Sequence, residues 1–149
     1  MCRISNEHHF IRYCKPSQSQ DGKILSAAFR LRLKNPNRGR TEDEKTLSVD
    51  WFEFFTKNHY SNINSALIER KMETNPNGYL AKLNVGKSIN DIIKNSHCSS
   101  GQLYVEIIKN SYSHFFGLYG FDEDTNLLIE NSLRENIMEI KKIGKIKIC

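Results

Sequence analysis

No stretch of this sequence approaches the ~18 consecutive apolar residues that a membrane-spanning helix needs. The first ten residues, Met1 to Phe10, carry no apolar signal core. A soluble, cytoplasmic protein with no membrane association is therefore expected. Cysteine is sparse: Cys2, Cys14, Cys98 and Cys149 are scattered, and none forms a Cys-x-x-Cys. That spacing is neither a metal framework nor a disulfide scaffold, and it points to reduced thiols in a cytosol. The histidines His8, His9, His59, His97 and His114 show no i, i+4 pair, and His97-Cys98 alone is a weak ligand pair. No metal is expected. Proline is rare, and no biased linker or internal repeat divides the chain, so residues 1–149 read as one domain.

Signature motifs for catalysis are missing too. Gly86-Lys87-Ser88 lies between an expected strand and helix, but a phosphate loop needs a glycine five residues before Gly86, and that position is Ala81. There is no nucleophile elbow and no Ser/His/Asp signature. No cofactor is expected.

What the chain does have is concentrated charge. It carries 22 Lys plus Arg against 17 Asp plus Glu. Arg30, Arg32, Lys34, Arg38 and Arg40 sit in one segment with no acid between them; taking these five from the 22 leaves 17, equal to the acids. The basicity is local. High Lys, Asn and Ile usage suggests an AT-rich genome, which inflates surface lysine and makes the arginines the better guide. A local basic patch is an anion-binding footprint for nucleic acid, nucleotide or an acidic partner. The competing reading is a solvated turn paired with Glu42, Asp43 and Glu44 next door.

Periodicity predicts an α+β fold: an open, mostly antiparallel sheet of four or five strands with two or three helices packed on one face. Strands are expected over residues 8–14, 24–33, 79–85 and 102–109. In residues 24–33, Phe29, Leu31 and Leu33 face one way and Arg30, Arg32 and Lys34 the other. Residues 47–55 read as a strand entry followed by a helical turn. Helices are expected over 62–72, over 88–95 with Ser88 and Asp91 as a capping box, and over 124–143, capped by Asp122 or Asp124. Residues 110–120 read as a loop, and 145–148 as a short edge strand.

Two sets of residues carry candidate chemistry. Arg12, Arg30, Arg32, Lys34, Arg38 and Arg40, with Trp51 for stacking, suit phosphate contacts and base stacking. His9 and His114 would act as acid and base if they meet in space, and Glu53 beside the aromatic run is a further catalytic carboxylate.

His9-Phe-Ile-Arg12-Tyr13, Ala28-Phe29-Arg30-Leu31-Arg32, Leu47-Ser48-Val49-Asp50-Trp51-Phe52-Glu53, Leu83-Asn84-Val85-Gly86 and Ser113-His114, in that order, resemble an uncharacterised family of small bacterial single-domain proteins. The blocks are short but span most of the chain. Where members of that family have a proline before the Ser-His pair, this chain has Tyr112. The resemblance implies bacterial origin and a single domain. The family has no established activity, so it implies no catalytic role.

Two functions remain. The first is an accessory binding module in a bacterial defence or toxin–antitoxin type system, taking nucleic acid or an acidic protein through the basic segment. The second is a small enzyme on nucleotide or nucleic-acid phosphate, of ADP-ribosyl-transfer or histidine phosphoesterase type, with His9, Arg12, Arg30, Ser48, Glu53 and His114 lining one cleft. The first is preferred, because no catalytic motif passes its spacing test.

Overall fold

The structure, a computed structural model, describes residues 2–96 and 100–146. Its strands are β1 (His9–Cys14), β2 (Ser19–Gln20), β3 (Lys23–Ile24), β4 (Leu47–Trp51), β5 (Tyr79–Asn84), β6 (Tyr104–Lys109), β7 (Tyr112–Phe116) and β8 (Ile137–Lys142). Its helices are α1 (His59–Glu69), α2 (Val85–Ser96) and α3 (Glu123–Glu135). Six strands make one open antiparallel sheet in the order β6-β7-β4-β1-β5-β8, and β2-β3 is a separate ribbon. The fold is α+β, with more strands in the sheet than the four or five expected. No described helix is long and apolar enough to cross a membrane.

Alternation along β1 explains the layering. Phe10 and Cys14 point into a core shared with Val85, Ile89 and Ile92 of α2 and Ile129 and Leu133 of α3. Ile11 and Tyr13 point the other way, onto Ile63 and Leu67 of α1. The helices therefore cover both faces of the sheet, not the one face expected from sequence. A central strand that is apolar on both sides needs cover on both sides. Phe10, Phe29 and Phe115 are fully buried. Each contributes roughly 2–3 kcal/mol, against about 0–1 for an exposed ion pair, so core packing rather than charge sets the architecture.

Several expected elements differ. Residues 24–33 are not one strand. β3 ends at Ile24, and Ser26–Phe29 forms a 3-10 turn that docks Ala28 and Phe29 in the core against α3. Leu31 is half-buried and Leu33 is 68% exposed, so Arg30, Arg32 and Lys34 do not line the back of a paired strand. The expected loop at 110–120 contains β7, whose ladder partners are β4 and β6. Asn110, at φ 56, supplies the tight reversal between β6 and β7.

The expected helix 124–143 stops at Glu135, and β8 follows. Ile137 and Ile140 suit a helical stripe, but β5 offers an unpaired edge that β8 fills. Asn136 marks the break: its side-chain amide donates to Asp91 Oδ2 (2.9 Å) and to the Ser132 carbonyl (2.7 Å). Asp122 caps α3 as expected, accepting from the Thr125 amide at 2.8 Å. α2 begins directly after β5, capped by Asn84 Oδ1 on the Lys87 amide (2.8 Å) rather than by Ser88. The strand entry at Leu47–Trp51 and the turn at Phe52–Phe54 match the sequence reading. His97, Cys98 and Cys149 lie outside the described residues, as does part of the expected strand at 145–148; Ile143–Lys145 is a 3-10 turn.

Candidate anion-binding site

The basic segment is built around a clamped turn. Pro36 presets the backbone for the 3-10 turn Pro36–Arg38, and Gly39 closes it in the left-handed region at φ 77. Asn35 and Arg40 exchange both backbone hydrogen bonds, at 3.0 Å each. Arg38 and Arg40 thus sit in a short loop closed by backbone hydrogen bonds.

The neighbouring acids offset these charges only in part, because they are engaged mainly with backbone. Asp43 Oδ1 accepts from the Lys34 amide (2.7 Å), and Glu44 Oε1 accepts from the Arg32 amide (2.6 Å). Their carboxylates hold backbone, which fixes the course of residues 32–34. Arg32 Nε stays 4.0 Å from Glu44, too long for a hydrogen bond. Among the described residues, Arg38 and Arg40 make no ion pair. Arg40 Nε donates instead to the Leu33 carbonyl at 3.1 Å. Arg30 is the exception: its Nε and Nη2 reach Glu130 at 3.2 and 3.1 Å.

Arg12 enters the same region from β1. Its Nε donates to the Ala28 carbonyl (3.0 Å) and its Nη1 to the Ser48 carbonyl (2.8 Å). Two carbonyls orient the guanidinium, and no described carboxylate pairs with it. Burial holds its pKa below the usual arginine value. Arg12, Arg30, Arg32 and Arg40, with Gln18, line one pocket of about 230 Å³. Lys15 senses the field nearby: its pKa is lowered first by Arg32, then by burial, then by Arg12, Arg40 and Arg38. Four arginines around one pocket suit an anion, which would take charge-assisted hydrogen bonds from them.

The other sequence candidates are distributed differently. Lys34 contributes its backbone amide to Asp43, and it does not line the pocket. Trp51 is also outside the pocket lining; its indole stacks on His8 at 5.7 Å and donates to His8 Nδ1 at 3.2 Å. His9 and Glu53 do meet. Glu53 Oε2 lies 2.6 Å from His9 Nδ1, while Oε1 accepts the His9 amide at 2.8 Å. With Nδ1 facing the carboxylate, Nε2 is the ring nitrogen left for a ligand.

The structure does not bring His114 to this pair. His9 sits opposite Asn84 on β5, whereas His114 on β7 sits opposite Ser48, two strands away and toward the other end of the sheet. Ordinary strand spacing separates their backbones by about 16 Å. His114 instead contacts the Tyr112 hydroxyl (2.7 Å) and Thr46 Oγ1 (3.1 Å), and burial lowers its pKa.

Sequence reasoning missed Gln18 and Glu130. Gln18 lies in a polar loop with no local signal. Glu130 had one: it shares the buried stripe of α3 with Ile129 and Leu133, and a buried acid demands a charged or hydrogen-bonding partner. Comparison with protein-family models, curated proteins and solved structures finds no match for this chain.

Proposed function

We propose that the protein is a binding module for polyanions, with nucleic acid as the preferred ligand and an acidic protein as the alternative, and that the Arg12–Arg30–Arg32–Arg40 pocket is its contact. One observation carries this reading: Arg12, Arg30, Arg32 and Arg40 line one pocket, where Arg30 pairs closely with Glu130 and Arg32 stands 4.0 Å from Glu44. Arginine suits such a site because its planar fork binds phosphate oxygens in pairs. A place in a bacterial defence or toxin–antitoxin type system fits a small accessory module of this kind. An enzyme acting on nucleotide or nucleic-acid phosphate is the second reading, and the 2.6 Å His9–Glu53 pair favours it. Against it, His9 does not line the arginine pocket and His114 is remote from both.

Fluorescence anisotropy with a labelled single-stranded oligonucleotide, read across a salt series, tests the first reading. Log affinity is expected to fall linearly with log salt, by about 0.7 per phosphate neutralised. An Arg32→Ala/Arg40→Ala variant is expected to bind more weakly with a shallower slope. Affinity flat in salt would defeat the electrostatic reading. The same mixtures, resolved on a denaturing gel, report on the second: cleavage by the wild type and not by His9→Gln would make the protein an enzyme.

A further inference from the structure

A second cavity, of about 350 Å³, adjoins the arginine pocket. Arg30, Leu31 and Leu33 line both. The two halves differ in chemistry. The arginine pocket has no carboxylate in its lining. The second cavity is walled by Phe29, Leu118, Tyr119 and Phe121, and it contains Asp43, Asn126 and Glu130.

That polarity dictates what fits where. Phosphate is drawn to the guanidiniums and repelled from Asp43 and Glu130. A flat ring suits the aromatic cavity, whose carboxylate and amide oxygens accept hydrogen bonds from an exocyclic amine. Asn126 donates its Nδ2 to the Phe121 carbonyl at 3.3 Å, so its Oδ1 is available as an acceptor. Tyr119 is 44% exposed, its hydroxyl tied to Asp43 Oδ2 at 3.2 Å, which steadies the ring as a stacking surface. Pockets of ~300 Å³ hold small ligands, and neither cavity has room for a duplex.

We infer that the two cavities are the halves of one nucleotide site: the arginine pocket takes a terminal phosphate and the aromatic cavity takes the attached base. The ligand chemistry is a nucleoside monophosphate, either free or as the phosphorylated end of a single strand. This assignment rests on the polyanion reading above and narrows its ligand from any polyanion to a phosphorylated nucleotide end.

Anisotropy on the full chain distinguishes the cases. The probes are one labelled oligonucleotide with a 5′-phosphate, a 3′-phosphate or hydroxyl ends, with AMP and inorganic phosphate as competitors. A phosphorylated end is expected to bind at least about 10-fold more tightly than hydroxyl ends, the size of a charge-assisted hydrogen bond. Arg40→Glu should abolish that preference. Tyr119→Ala should weaken competition by AMP and leave competition by inorganic phosphate unchanged. Neither side chain belongs to the core, so both variants are expected to fold. Efficient competition by AMP supports a free nucleotide as the source; a phosphate-end preference that AMP does not compete supports a strand end. Equal affinity for all three ends, with salt dependence retained, overturns the nucleotide site and leaves the polyanion reading standing. Loss of any salt-dependent binding removes both.

Discussion

Glu130 is 5% exposed, while the side chain of its partner Arg30 is 57% exposed. The two residues have unequal stakes in their ion pair. The carboxylate cannot be solvated and needs the guanidinium. The guanidinium is solvated without it, and is held at the wall between two cavities because of it. This asymmetry sets opposite signs for two measurements on Glu130→Gln, which keeps shape and removes charge. Urea unfolding is expected to show a loss of about 1–3 kcal/mol from the weakened buried hydrogen bonds. Oligonucleotide affinity is expected to rise several-fold, because Arg30 then contributes its full charge. A fall in both would mean that the orientation Glu130 imposes matters more than the charge it masks.

At the scale of elements, the basic turn and the β7 exit both depend on a glycine, for different reasons. Gly39, at φ 77, has nothing within 4 Å of where a Cβ would lie. Gly39→Ala therefore carries only backbone strain, about 1 kcal/mol, and is expected to loosen the turn that presents Arg38 and Arg40. Gly117, at φ 96, would place a Cβ 2.2 Å from the Gln102 carbonyl oxygen. Gly117→Ala should cost clearly more, since backbone as well as torsion must give way. Urea unfolding of the two variants orders them. Equal losses would show that the segment around Gln102 yields freely. The charged segment is not a strand: residues 32–34 are held by the carboxylates of Asp43 and Glu44 and by the Glu44 amide on the Arg32 carbonyl (2.8 Å), not by a continuous ladder.

At the scale of the whole molecule, the open sheet has two edges treated unequally. The β6 edge is covered by the N-terminal segment: the Ile4 amide donates to Val105 (2.8 Å) and the Ile107 amide to Cys2 (2.9 Å). The Arg3 guanidinium lies 3.8 Å over the Tyr104 ring, and Ile4 is buried. At the other edge β8 carries Lys141 and Lys142, which discourage pairing with another chain. Deleting residues 1–5 is expected to cost about 2 kcal/mol for the Ile4 side chain and to expose the β6 edge. Sedimentation velocity should then show concentration-dependent self-association absent from the intact chain. A monomeric deletion variant would mean that β6 needs no cover.

The amino-acid sequence by itself determined the α+β class, the place of the basic segment, the strand-then-turn at 47–54, the α1 and β5 segments and the cap at Asp122. Each is a local matter of alternation, turn residues or a side chain reaching its own backbone. Tertiary structure decided the rest. Ile137 and Ile140 satisfy a helix or a strand equally, and the free edge of β5 chose the strand. Phe29, Leu31 and Leu33 alternate as a strand does, but no neighbouring strand pairs with them. His9 faces Glu53 across 44 residues and Arg30 faces Glu130 across 100. No local pattern encodes such pairings, because they follow from which strands lie side by side and which helix covers them.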